Sequence, residues 1–188
     1  MKNLSDVEII ESVKKGNTAD FSILIDRYKN KAFSMLKRMM KNDFDAEEVL
    51  MDCFLKVYNN LSTFKFESKF STWFYRIVYN SALTKLSSAK RKIENEMSSV
   101  DDLHYLESSY NADDLVKEDL SILVKKIVNE LPPKNAAVIT MFYLEEMSGE
   151  EISEVLQISV SNVKVILHRS CNLLREIIEK RKLLQEVL

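Results

Sequence analysis

Two glycines and two prolines are spread over 188 residues, and this scarcity constrains the fold more than any other feature. Tight hairpins and glycine-rich phosphate loops need residues that tolerate positive φ or fix a turn. With so few, an all-β or Rossmann-type chain is excluded, and the abundance of Leu, Lys, Glu, Met and Ile points to an all-α fold. The chain is 46% hydrophobic and 30% charged, enough apolar material for a real core. No stretch approaches the roughly 20 apolar residues of a membrane span. The start, MKNLSDVEII, carries no apolar signal region, so a cytoplasmic protein is expected. Cys53 and Cys171 have no ligand at metal spacing and read as small buried hydrophobes.

Charge divides the chain into three blocks. Residues 1–92 hold 17 Lys and Arg against 11 Asp and Glu, residues 93–120 hold one against nine, and residues 121–188 hold nine of each. The net charge of -2 conceals this segregation, which leaves nucleic-acid binding open.

Apolar periodicity fills in the elements. Ser5-Asp6-Val7-Glu8 is a capping-box pattern and Gly16 a stop, predicting a helix over about 5–15. A second helix follows from Thr18, with Phe21, Leu24, Ile25, Tyr28, Ala32, Met35, Leu36 and Met39 at three/four spacing, until Asn42-Asp43 breaks it. A third opens near Asp45 and runs to Asn60. Residues 61–70 read as a loop, and a fourth helix begins with Ser71 as N-cap and ends in Lys90-Arg91-Lys92. Together these form a first domain, 1–92. An acidic, Ser-rich linker, 93–119, follows, with a helical turn near His104-Tyr105; fully extended it reaches about 90–100 Å. A second, smaller helical domain, 120–188, completes the chain.

No catalytic constellation emerges: there is no phosphate loop and no Ser-His-Asp or Cys-His grouping, so the chain is expected not to be an enzyme and to need no cofactor or metal. Two other constellations carry the functional signal. The first is EEISEVLQISVSNVKVILHRS, where two short amphipathic runs meet at Gln157-Ile158-Ser159. Ile152, Leu156, Ile158, Val163 and Ile166 fit the positions that lock two helices at a steep angle. Ser153 is small where they approach, and Ser159 can cap the second helix. Projected at 100° per residue, that helix turns Val160, Val163, Ile166, Leu167 and Leu174 inward. Ser161, Lys164, Val165, His168 and Asn172 then face outward, with Asn162 and Arg169 at the margin. Such a face suits a DNA major groove, and Val165 suits a thymine methyl; a purely structural hairpin remains the alternative.

The second constellation is aromatic. Phe64, Phe66, Phe70, Trp73, Phe74, Tyr75 and Tyr79 lie within sixteen residues, interleaved with Lys65, Lys69, Arg76 and Lys85. Rings beside cations hold unstacked bases. Trp73, Phe74 and Ile77 are assigned to the core, while the loop residues 64–69 are divided between base contact and packing.

Taken together, DAEEVLMDCFLKVYNNLSTF, KFSTWFYRIVYNSAL and LPPKNAAVITMFYLEEMSGEEISEVLQISVSNVKVILHRSCNLLREII resemble, in order and spacing, the extracytoplasmic-function (group four) sigma factors of bacterial RNA polymerase. The resemblance covers nearly the whole chain. It implies a sigma region-two domain at 1–92 and a region-four domain at 120–188. It implies a core-polymerase contact through Asp45, Glu47, Glu48, Asp52 and Phe54. It implies minus-ten recognition and melting by Phe64, Lys65, Phe66, Lys69, Arg76, Asn80, Lys90, Arg91 and Lys92. Minus-thirty-five recognition falls to Ser159, Ser161, Asn162, Lys164, Val165, His168 and Arg169. The implied partners are core RNA polymerase, promoter DNA and an anti-sigma factor, with the free protein a monomer.

The chain departs from the family in three places. Lys164-Val165-Ile166 stands where Lys-Ser-Arg is usual, Leu86-Ser87-Ser88-Ala89 where an Arg run is frequent, and Gln157 where the turn is commonly Gly. Every phosphate that a missing cation leaves unneutralised makes the salt slope shallower by about 0.9. The missing arginines motivate a rival in which a sigma-like adaptor binds polymerase without reading DNA; a stand-alone helix-turn-helix regulator is a second. The segregated charge raises one more expectation, that the acidic linker folds over Lys90–Lys92.

Overall fold

The computed structural model describes residues 4–97 and 127–187, with side chains described for 4–91 and 127–180. The middle of the acidic linker, including His104-Tyr105, and its expected contact with the basic end lie outside these residues. All regular structure among the described residues is helical. No helix among them is long and apolar enough to cross a membrane.

Helix α1 (Asp6–Lys14) starts from Ser5 with the expected capping box, and Gly16 follows it at φ 105. A 3-10 turn at Thr18–Asp20 leads into α2 (Phe21–Met40), which ends on Lys41 in the left-handed region. Asn42 then caps α3 (Asp43–Asn60), accepting from the backbone N–H groups of Phe44 and Asp45. The helix therefore opens two residues before Asp45.

After a 3-10 turn at Leu61–Thr63 comes α4 (Phe70–Met97), continuous through the expected boundary at 92. Ser71 is not its cap. Phe70 is buried against Tyr28 and Phe74, which draws it into the first turn, and the Lys69 carbonyl accepts from the Trp73 N–H at 3.2 Å. The second half comprises α5 (Pro133–Ile139), a π-helical turn at Thr140–Leu144, α6 (Gly149–Leu156) and α7 (Val160–Val187). Pro133 opens α5 at the first helical position, where its missing N–H is not needed.

The two halves share one core. Leu24, Tyr28, Met35, Leu36, Met39 and Phe74 of the first half form a single buried cluster with Ala137, Val138, Met141, Met147, Ile152, Val155 and Leu156 of the second. Helix α5 packs on α2 and α6 on α4. A smaller cluster of Val128, Leu131, Ala136 and Ile139 packs under Leu167, Leu174 and Ile177 of α7. Cys53 is fully buried, and burial pushes its thiol pKa up to about 11; Cys171 is half-buried.

Candidate polymerase and nucleic-acid interfaces

Helix α3 presents the residues expected to meet polymerase. Glu47, Glu48 and Asp52 are exposed and Asp45 half-buried. Lys85 of α4 bridges Glu48 at 2.6 Å and Asp45 at 3.3 Å; the Glu48 bond chiefly holds its ammonium above the usual lysine range. Phe54 is a correction. Its ring lies inward, stacked on Phe74 at 5.2 Å and edge-on to Phe21, because its turn of α3 faces α2 and α4.

What faces outward instead is an apolar stripe that the sequence pattern did not reveal. Phe44 is 84% exposed, Met51 67%, Leu55 60% and Tyr58 41%. With Glu48 they follow four/three spacing, so they line one face of the helix. The stripe interleaves with the core repeat Ala46, Val49, Cys53 and Val57. Contiguous exposed apolar side chains of this kind mark interaction surfaces.

The aromatic segment also divides differently from expectation. Phe64 is buried, 4.9 Å from the Trp73 ring and edge-on to Phe70, so of the two readings left open for it, base contact and packing, the structure shows it packed into the core. Phe74, Tyr75 and Tyr79 are buried, whereas Trp73 and Ile77 are only half-buried. Phe66 is the ring of the loop that remains exposed, and it adopts φ 61. A left-handed conformation costs a side-chain-bearing residue about 1–2 kcal/mol. Lys65, Lys69, Arg76 and Asn80 are exposed along the loop and first half of α4, and Lys90 and Arg91 farther along it. The side chain of Lys92 lies outside the described residues.

In the second half the expected turn is present. Ser148 caps α6 in a capping box with Glu151. Gln157 takes the left-handed conformation, φ 55 and ψ 44, at the end of α6. The Ser153 hydroxyl donates to the Ile158 carbonyl, tying the turn shut, and Ser159 accepts from the Asn162 N–H at 3.2 Å. Ile152, Leu156 and Val163 are buried, with Ile158, Ile166 and Leu167 packed against them. Ser159, Ser161, Asn162, Lys164, Val165, His168 and Arg169 are all exposed, forming a continuous polar face interrupted only by Val165. Asn172, expected outward, is half-buried and lies 3.4 Å from His168 Nδ1.

The packing of the halves engages two of the cations expected to face the minus-ten strand. Lys69 pairs with Glu151 at 2.8 Å. Burial raises the Glu151 pKa, but the Lys69 ammonium and the Ser148 N–H outweigh it and hold the carboxyl below its usual range. With its amide oxygen turned to Arg76, Gln157 accepts from Nε at 3.2 Å and from Nη2. A third link joins Lys31 of α2 to Glu145 at 3.1 Å. Glu145 is almost buried and sits in the field of Arg38; burial first, and then the Glu145 carboxylate, push the Tyr75 hydroxyl far above the usual range.

The sequence matches the Sigma-70 region 2 family over residues 24–92 and the Sigma-70, region 4 family over residues 121–174. It is 33% identical over 175 residues to the ECF RNA polymerase sigma factor SigW of Bacillus subtilis, covering 89% of this chain and 93% of the relative. The chain belongs to the ECF sigma factors of RNA polymerase. Another relative of this sigma factor is the ECF RNA polymerase sigma-E factor of Haemophilus influenzae, 29% identical with 96% of each chain covered. In fold it is similar to CnrH in complex with the cytosolic domain of CnrY, with a TM-score of 0.65 at 19% identity, covering 92% of this chain and 96% of that one. It is equally similar to the sigma factor RpoE of Bartonella quintana in complex with the anti-sigma factor NepR, with a TM-score of 0.65 at 19% identity, covering 85% and 97%. As a sigma factor the chain binds core RNA polymerase and directs promoter-specific initiation of transcription.

Proposed function

We propose that this sigma factor divides its work among three surfaces and performs no chemistry itself. Residues 1–92 bind core polymerase and open the minus-ten element, 93–119 form the connecting acidic linker, and 120–188 read the minus-thirty-five element. The stripe Phe44, Met51, Leu55 and Tyr58, flanked by Asp45, Glu47, Glu48 and Asp52, docks on polymerase. The loop bearing Lys65, Phe66 and Lys69, with Arg76 and Asn80 on α4, meets the separating strand, and Lys90, Arg91 and Lys92 meet phosphates farther along. The α7 face from Ser159 to Arg169 enters the major groove. The observation that carries this reading is that continuous polar face, held clear of the core by the Ser153–Gln157 turn.

The packed halves are a resting arrangement. Lys69 and Arg76 cannot serve Glu151 and Gln157 and a DNA strand together, so the halves part when promoter is engaged. The free protein is a cytoplasmic monomer without a cofactor. An anti-sigma protein, like the NepR bound to RpoE, holds it inactive.

Run-off transcription tests the reading. Purified protein is added to core polymerase on fragments of the source genome, and transcript starts are mapped. Discrete new starts that share two upstream motifs are expected. Co-elution with core without new starts would instead support the adaptor that does not read DNA.

A further inference from the structure

The loop preceding α4 carries a strained residue whose support comes from far away in sequence. Phe66 sits at φ 61, a region that bulky side chains rarely occupy. Strain of this kind persists only where surrounding contacts over-determine it. On one side the Phe66 ring meets the buried Phe64 ring edge-on at 5.0 Å. The support on the other side is Lys14, the last residue of α1. Its Nζ donates to the Phe64 carbonyl at 2.6 Å and lies 4.8 Å from the centroid of the Phe66 ring. One ammonium thus fixes both the backbone just before the strained residue and the ring that residue displays. Helix α1 precedes the stretch matched to the region 2 family, which begins at residue 24.

We propose that Lys14 is a positioning residue for promoter opening: it locks the 64–66 turn so that the Phe66 ring stands out as a stacking platform for an unpaired base of the minus-ten strand. The inference rests on the reading above that this loop meets the separating strand. An ammonium can hold the ring by its face through its charge while donating to a carbonyl, which an apolar side chain cannot do. Without it the Phe64 carbonyl loses the Lys14 donor and the turn relaxes out of the left-handed region. The Phe66 ring, already in contact with Phe64, is then free to turn away from its displayed position.

The test uses holoenzyme rebuilt from core polymerase and full-length factor, on a promoter duplex from the mapped starts with 2-aminopurine in the minus-ten element. Fluorescence rise reports base unstacking. Lys14→Met is expected to slow the rise about tenfold, within the range that losing one stacked base costs, with core affinity unchanged. Lys14→Arg, which keeps charge and donors, is expected to restore the rate to within about threefold of the native factor. Phe66→Ala should slow opening similarly, and Lys14→Met added to it should slow it little further, because both remove one platform. Lys14→Gln replaces Lys14→Met if the latter fails to fold. Native opening rates in Lys14→Met, or slowing that multiplies with that of Phe66→Ala, would overturn the role of Lys14. Native rates in Phe66→Ala would overturn the loop reading itself, and the inference with it.

Discussion

Gln157 offers a substitution whose sign depends on a residue in the other half of the molecule. In the left-handed region its side chain costs about 1 kcal/mol relative to glycine. A glycine also gives the unfolded chain more freedom, which returns about 0.5 kcal/mol of that advantage. Gln157→Gly alone would therefore stabilise by about 0.5 kcal/mol if the amide made no contact. With its amide oxygen turned to Arg76, Gln157 accepts from the exposed guanidinium, a charge-assisted contact contributing about 1 kcal/mol at a wet site. Gln157→Gly should then destabilise the native protein by about 0.5 kcal/mol, yet stabilise Arg76→Ala by about the same amount.

The coupling of about 1 kcal/mol is several times the error of a well-run cycle. Urea unfolding followed by circular dichroism reads it, since a core shared by both halves should melt as one unit with an unchanged slope. Equal shifts in the two backgrounds, within about 0.3 kcal/mol, would show that Arg76 and Gln157 do not meet and would refute the closed packing at that point.

Three further outcomes follow from the same packing. The depressed Glu151 pKa contributes stability that is present above the unfolded carboxyl value of about 4.3 and is lost as pH falls through the folded value. Glu151→Gln keeps the capping box and should flatten the fall of Tm below about pH 4.5; an acid limb identical to the native one would contradict the pairing with Lys69. Met51→Asp with Leu55→Asp should leave Tm within a few degrees, because both side chains are exposed, while weakening core-polymerase binding at least about tenfold in a fluorescence titration. Phe74→Ala removes a fully buried ring stacked on both Phe54 and Phe70, and should cost about 3–5 kcal/mol in urea unfolding.

Local chemistry made much of the molecule legible beforehand. The capping box at Ser5, the break after Met40, the left-handed turn at Gln157 and the outward polar face of α7 each follow from neighbours a few residues apart. The facing of rings did not. In α4, aromatic residues stand at 70, 73, 74, 75 and 79, so apolar spacing alone gives no single inner face, and the helix packs against α2 and α3 and also against α6 of the second half, leaving Tyr75 and Tyr79 buried. On α3 two apolar repeats interleave, and only the tertiary partners determine that Cys53, Phe54 and Val57 go in while Met51 and Leu55 stay out. The links from Lys69 to Glu151 and from Arg76 to Gln157 span about eighty residues of chain, and no periodicity marks them.

The shared core has a consequence for control. If the halves must separate to work, Met141, Met147, Val155 and Leu156 lose their cover against α2 and α4, and the open form shows water a broad apolar face. Such a form is scarce in the free protein, so every ligand that needs it binds with an apparent affinity reduced by the open fraction. Polymerase and any protein that clamps the closed form then compete even where their footprints are separate, each drawing on opposite ends of one equilibrium. A substitution that merely loosens the seam would raise background transcription as surely as deleting an inhibitor.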